Sequence, residues 1–192
     1  MNGRGIPDDL IDQFKIGWGD FYGANWIVIP IPKKDNPEEY ALLKLRRDPE
    51  TKDEKTPKMK VWPMGATHEL FDWGMFKGAT SLVLCEGEFD CMVLLSKGIP
   101  AVTSTGGCGT FKQEWLKEFS GLESVCVCYD NDPEGEKGAT RVLDALKSIE
   151  TLKLFQTRLP LDMGEGMKDV TDYFTKYGGD PQAFTELAQA VG

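Results

Sequence analysis

The chain has a single histidine, His68, and its five cysteines, Cys85, Cys91, Cys108, Cys126 and Cys128, form no CxxC pair. Neither a zinc site nor a disulfide framework is supported by that spacing. The cysteines mostly sit inside apolar runs, where a thiol behaves as a small buried hydrophobe. No run reaches the roughly 20 apolar residues that span a bilayer. The N-terminus lacks the basic-then-apolar layout of a secretion signal, so the expectation is a cytoplasmic protein with no membrane association. Positive charge is short as well: 22 Lys and Arg against 31 Asp and Glu give a formal net charge of -9. That balance argues against gripping nucleic acid by overall field, which needs Lys and Arg to neutralise phosphates, and leaves room only for a local basic groove.

What is present suits a folded core. A length of 192 residues with 41% hydrophobic and 28% charged residues predicts one domain, or one with a small partner. "PDDLIDQFKIG" spaces Leu10, Ile11 and Phe14 helically after a Pro-Asp start. "NWIVIPIP", Asn25 to Pro32, and "YALLKLRRD", Tyr40 to Asp48, predict paired strands of a meander across the polar "KKDNPEE" loop. "DPETKDEKTPK", Asp48 to Lys58, has no apolar residue to bury and reads as a mobile loop.

From Ser81 the texture alternates. "SLVLC", "IPAVT", "SVCVCY" and "LKLFQT" read as buried parallel strands, each a short apolar run bounded by turn residues. Between them, Phe89, Met92, Val93 and Leu95 line one helix, Phe111, Trp115 and Phe119 a second, and Ala139, Val142, Leu143 and Leu146 a third. The tail "DPQAFTELAQAV" reads as a last helix with Phe184, Leu187 and Val191 inward. The pattern predicts an α/β domain with a parallel sheet and right-handed crossovers. The five tryptophans are expected chiefly in the core, with Trp62, beside Lys58 and Lys60, the one placed to stack on a single strand.

In such a sheet, ligands bind beyond the carboxyl ends of the strands, and there this sequence places acid. Glu86 ends the first strand, Gly87 turns the chain, and Asp90 follows four residues after Glu86. Glu88 should point to solvent. The third strand ends in "YDNDPEG", where Asp130 and Asp132 alternate and project from one face of an extended segment. Three or four carboxylates would converge, and like charges at short range raise each other's pKa unless a cation neutralises them. An all-oxygen set suits Mg²⁺ or Mn²⁺ rather than Zn²⁺. Asp132 by itself reads equally as a helix cap. The glycine-rich turn "STGGCGTF" carries Gly106 and Gly107, whose amides could contact phosphate or simply close a tight turn.

"EGEFD", "STGG" and "YDNDPEG" resemble the three blocks of the toprim domain, in the order and spacing found in DnaG-type bacterial and phage primases. "RGIPDDLIDQFKIGWG", "WIVIPI", "LKLRRD", "TPKMKVWP" and "HELFDW" resemble the N-terminal half of the primase RNA-polymerase core, and "GMKDVTDYFTKYG" a later segment of it. The resemblance spans roughly Arg4 to Gly179. It implies a toprim fold, a small parallel sheet flanked by helices, over residues 79–160. A mixed α+β N-terminal subdomain would cover 1–78, and a helical extension completing the acidic site 161–192. It further implies that Glu86 is the essential acid near the reacting phosphate, helped by Asp90, with Glu86, Asp130, Asp132 and Asp169 as metal ligands. Arg46 (or its neighbour Arg47) and Lys58 would face the active groove, and Lys168 pairs with Asp169.

The implied activity is a DNA primase-type nucleotidyltransferase making short RNA primers on single-stranded DNA from ribonucleoside triphosphates, with two or more Mg²⁺ or Mn²⁺ ions. Primases usually carry a zinc ribbon and a helicase or helicase-binding part. This chain has the pattern of neither, so a replicative helicase and a zinc-ribbon module are expected in cis or in trans, in keeping with a fragment of a larger primase or primase-helicase. Two other readings stay open: a toprim-type metal-dependent nuclease indifferent to nucleoside triphosphates, and a non-catalytic nucleic-acid-binding module insensitive to acid-to-amide substitution.

Overall fold

A computed structural model describes residues 5–48, 55–160 and 166–191. The chain divides into two units, Pro7–Glu69 and Leu70–Gly192, the latter joined by Gly5 and Ile6. Most of the polar stretch expected to be a mobile loop, residues 49–54, lies outside the described residues, as does part of the implied C-terminal extension, residues 161–165.

In the first unit a short helix, α1 (Asp8–Gln13), buries Leu10 and stops one residue before Phe14. An antiparallel sheet follows in the order β1 (Gly17–Phe21), β2 (Ala24–Pro32), β3 (Tyr40–Arg47), β4 (Met59–Trp62). Pairing sets Trp26 opposite Arg47 and Val28 opposite Leu45 on one face, and Ile27 opposite Arg46 on the other. Trp26 is fully buried between Ala24 and Leu45, and its indole N–H donates to the Phe21 carbonyl at 2.6 Å, so the largest ring in the sheet costs no unpaired donor. The strands β1 and β4 were not anticipated. "GWGDF" carries two glycines and has four exposed residues among five, and becomes a strand only by pairing with β2.

The second unit is a six-stranded sheet ordered β10-β9-β8-β6-β7-β5, with β5 Leu70–Phe71, β6 Ser81–Cys85, β7 Ala101–Ser104, β8 Ser124–Cys128, β9 Lys153–Thr157 and β10 Ala188–Ala190. The four central strands are parallel, as expected, and an antiparallel strand closes each edge. Leu82, Leu84, Val102, Val125 and Val127 face a core completed by Ala139, Val142, Leu143 and Leu146 of α4 (Pro133–Leu146) and by Phe119 of α3 (Leu116–Phe119). Burial of the sheet on two sides explains the uninterrupted apolar runs.

α2 (Glu88–Ser96) packs against β6, β7 and α5 (Val170–Thr175), and every residue from Glu88 to Leu94 is buried. Glu88, expected to face solvent, is 5% exposed: a helix covered all round has no solvent face at its first turn. The tail corrects a second expectation. Its helix, α6 (Pro181–Glu186), ends early and the chain turns into β10, which pairs antiparallel with β9. Phe184 is buried against Tyr173 and Phe174, while Leu187 and Val191 are only half-buried. Among the described residues no helix is long and apolar enough to cross a membrane.

Candidate active site

The carboxyl edge of the parallel strands gathers the acids. Glu86 follows β6 directly, and its Oε2 accepts the Asp130 backbone N–H at 3.3 Å, bridging the ends of β6 and β8. The Cys108 thiol, from the glycine-rich turn, stands near the same carboxylate and favours its charged form. Asn131 N–H donates to the Lys168 carbonyl at 2.8 Å, which brings the segment carrying Asp169 alongside.

Three of the aspartates hold one oxygen within the fold. Asp132 caps α4, its Oδ1 accepting the Glu134 and Gly135 amides at 3.0 and 2.9 Å. Asp169 caps α5, its Oδ1 accepting the Asp172 amide at 2.7 Å. Asp90, on the first turn of α2, is buried, and its Oδ1 accepts both the amide and the hydroxyl of Thr171, at 3.0 and 2.7 Å. The capping reading of Asp132 therefore holds as geometry, and it leaves the second oxygen of the same carboxylate outside those bonds.

The electrostatics follow from this crowding. Burial, reinforced by the charges of Glu86, Asp90, Asp169 and Asp132, pushes the Asp130 carboxyl up to about 8. Burial and the neighbouring Asp169 raise Asp90 well above the ordinary range. Burial raises Glu86, against the hydrogen bond from the Asp130 amide and the nearby Cys108 thiol, which lower it. These side chains sense one another, yet among the described residues no three His, Cys, Asp or Glu groups stand close enough to close on one ion. The fit to a divalent cation is therefore one of donor chemistry: carboxylate oxygens only, mutually repelling and partly desolvated, the combination that Mg²⁺ or Mn²⁺ relieves.

Two glycines let helix α4 approach this edge. A Cβ on Gly135 would lie 2.3 Å from the Asp130 carbonyl oxygen, and one on Gly138 2.5 Å from the Cys108 Cβ. The glycine in "DNDPEG" is thus required by close backbone approach. Gly135→Ala is expected to lower stability by about 1–3 kcal/mol, because the obstructing atoms are backbone and must shift. Thermal unfolding and the chemical shift of the Asp130 amide check it.

The glycine-rich turn folds onto itself. The Gly106 amide donates to Ser104 Oγ at 3.4 Å, the Gly107 amide to the Ser104 carbonyl at 3.1 Å, and Ser104 and Thr110 hydroxyls meet at 2.5 Å. Both amides are engaged in closing the turn, which is the tight-turn alternative rather than a row of open donors. Lys168 is exposed. In the other unit, Arg46 reaches the Met59 sulfur at 3.8 Å across the β3–β4 pair, Arg47 donates to the Thr56 carbonyl at 2.5 Å, and Lys58 is exposed just before β4. Residues 83–174 match the Toprim-like family model. The matched segment carries the acids from Glu86 to Asp169 and is just under half of the chain.

A DNA primase of Thermotoga maritima is 28% identical over 125 residues, which are 64% of this chain and 21% of that protein; the match thus spans about a fifth of the relative's length. The zinc-binding and RNA polymerase domains of the Aquifex aeolicus primase superpose with a TM-score of 0.76 at 19% identity, over 99% of this chain and 55% of that one. The primase fragment of the bacteriophage T7 primase-helicase gives 0.74 at 17% identity, over 97% and 72%. The E. coli primase catalytic core gives 0.72 at 21% identity, over 98% and 72%. The toprim fold thus sits in the second unit, preceded by the mixed α+β elements of the first. Thr171 was missed in the sequence because its partner lies 81 residues away. The "KDVTD" segment around the Asp169 cap was the nearest signal.

Proposed function

We propose that this chain is the catalytic core of a primase-type nucleotidyltransferase, joining ribonucleotides on a single-stranded DNA template. The observation that carries the reading is the set of acids at the carboxyl edge of the toprim sheet, Glu86, Asp90, Asp130, Asp132 and Asp169, on a fold shared with primase cores over nearly the whole chain. A toprim-type nuclease would share the acids but not the N-terminal unit.

Phosphoryl transfer asks a protein for positioning and charge neutralisation more than for covalent chemistry. In this reading Asp130, Asp132 and Asp169 hold Mg²⁺ or Mn²⁺, and Glu86 ligates or takes the proton from the attacking 3′-hydroxyl. Held there, a pair of divalent ions would supply activation of that hydroxyl and neutralisation of the leaving pyrophosphate. Arg46 and Lys58 contact phosphates of the nucleotide or nascent strand, with Lys168 as a further cation. Zinc has no place in the donor set. A replicative helicase and a zinc-ribbon module are the proposed partners, and the T7 relative is itself part of a primase-helicase.

One surface of the first unit supports a single-stranded template. Trp62, expected in the core but placed at the end of β4 on one edge of the sheet, is 53% exposed; Trp18, also outside the core at 59% exposed, pairs with Ile27 and so lies on the opposite face. Phe21, Tyr22, Leu43, Leu45 and Trp62 line a cavity of about 320 Å³, and Lys60 Nζ sits 4.3 Å from the Tyr22 ring centre. Pairing puts Arg47, Lys60 and Trp62 on that same face, where no strand position holds an acid. Aromatic rings beside cations suit bases and phosphates of a single strand. Trp62→Ala is expected to weaken oligodeoxynucleotide binding by about 1–3 kcal/mol, read by fluorescence anisotropy.

The deciding experiment is ribonucleotide incorporation on a single-stranded template, with Mg²⁺, Mn²⁺ or chelator, by the chain alone and with added zinc-ribbon and helicase parts. Metal-dependent incorporation supports the reading. Metal-dependent cleavage of the template without any need for nucleoside triphosphates would assign the nuclease instead.

A further inference from the structure

Asp132, Asp169 and Asp90 each commit Oδ1 to the fold, but they do so by different means. For Asp132 and Asp169 the donors are backbone amides. For Asp90 one of the two donors is a side chain, the Thr171 hydroxyl, at 2.7 Å. Both residues are 8% exposed, so neither hydrogen bond competes strongly with water. The bond ties the first turn of α2 to the first turn of α5, two residues beyond the Asp169 cap. A Cβ on Gly87 would lie 3.2 Å from Asp90 Oδ2, so that oxygen is directed to the turn that follows Glu86.

We propose that Thr171 is a positioning residue of the acidic site: by occupying Asp90 Oδ1 it presents the other oxygen of that carboxylate and holds the Asp169 cap against the same edge. This rests on the metal-binding reading above. Thr171 touches neither substrate nor ion; through one buried hydroxyl it fixes Asp90, the acid beside the proposed ligands Asp169 and Glu86. Partners of this kind typically change metal affinity by about 10–100-fold when removed.

The geometry separates Thr171 from the ordinary interior. Loss of the hydroxyl leaves the Thr171 amide still bonded to Oδ1, so the helix stays capped while the carboxylate loses half its restraint. Thr171→Val, nearly the same shape, removes only the hydroxyl; Thr171→Ser keeps it.

The test is Mn²⁺ binding to the metal-free full chain by titration calorimetry, alongside the unfolding midpoint in chelator. Thr171→Val is expected to weaken Mn²⁺ binding about 10-fold or more, and Thr171→Ser to stay within about twofold of the parent. Asp90→Asn with Thr171→Val should bind no worse than Asp90→Asn by itself, since the two act through one bond. Parent-like Mn²⁺ affinity in Thr171→Val, or full additivity with Asp90→Asn, overturns the proposal. If Thr171→Val does not fold, Thr171→Ala removes the hydroxyl without adding a methyl against Asp90 and carries the same expectation. In incorporation assays the variant should show a higher half-saturating metal concentration, with kcat recovered at high metal and the nucleotide KM unchanged. A parent chain that incorporates nothing even with added zinc-ribbon and helicase parts, with Mn²⁺ affinity still lost in Thr171→Val, sinks the primase reading and leaves the positioning role standing. Incorporation by the parent with an unchanged metal requirement in Thr171→Val does the reverse.

Discussion

Glu86→Gln should abolish metal-dependent incorporation while leaving the fold in place, a loss of about 10²–10⁴-fold in rate. The amide keeps an oxygen that can accept the Asp130 N–H, the bond that ties the ends of β6 and β8 at 3.3 Å. What it loses is negative charge and the capacity to take a proton. Glu86 sits half-buried, its pKa raised first by burial and further by the charges of Asp132 and Glu134. A carboxylate shifted upward in this way is better matched to proton transfer near neutral pH than an ordinary surface glutamate. Circular dichroism and unfolding of the variant should match the parent, and single-turnover incorporation at saturating Mg²⁺ should show the loss. Parent-like rates would remove Glu86 from the chemistry and, with it, the central role given to the turn after β6.

That turn was legible in the sequence because two physical signals coincide there. A parallel strand buried on two sides must be apolar throughout, so "SLVLC" marks its own end at the first charged residue. Acid at the carboxyl end of such a strand then stands out against a background that excludes it. The same logic exposed Asp130 after "SVCVCY", and the Asp-Pro start with helical spacing of Ala139, Val142, Leu143 and Leu146 exposed α4.

Features that depend on distant partners were hidden. "GWGDF" is a strand only because β2 lies beside it, and "AQA" only because β9 leaves an open edge. Local periodicity continued the last helix through those three residues, but pairing with the sheet won over propensity. Glu88 was misplaced for a related reason: neighbouring residues suggest a solvent-facing position, whereas α2 is enclosed by β6, β7 and α5. The exposure of Trp62 reverses the usual expectation for a tryptophan: it ends β4, which lies at the edge of its sheet with β3 as its single neighbour there.

Asp130→Asn is expected to stabilise the metal-free chain and at the same time cost it most of its metal response. Asp130 is the member of the set pushed highest, to about 8, by burial and by the four carboxylates around it. An unfolded aspartate titrates near 3.9, roughly four units lower. Between these values the folded chain retains a proton that the unfolded chain has released, so stability falls as pH rises from about 4 towards 8 and levels off above. Divalent metal supplies the missing positive charge, so its stabilising effect should be larger at pH 8 than at pH 6, where a proton already occupies the site. The asparagine variant carries no charge to suppress. In chelator at pH 8 its unfolding midpoint should exceed the parent's by a few degrees, and its pH dependence should be flatter, with the remaining slope due to Asp90 and Glu86, whose pKa values are also raised. Added Mg²⁺ or Mn²⁺ should then lift the parent much more than the variant. Thermal melts across pH 5 to 9, with chelator and with metal, read all of these effects. A variant less stable than the parent in chelator at pH 8 would mean that Asp130 is held by favourable contacts rather than tolerated for its charge. A sheet edge that stores repulsion for a cation should gain stability when one of its acids is neutralised, whereas a merely structural acid should not.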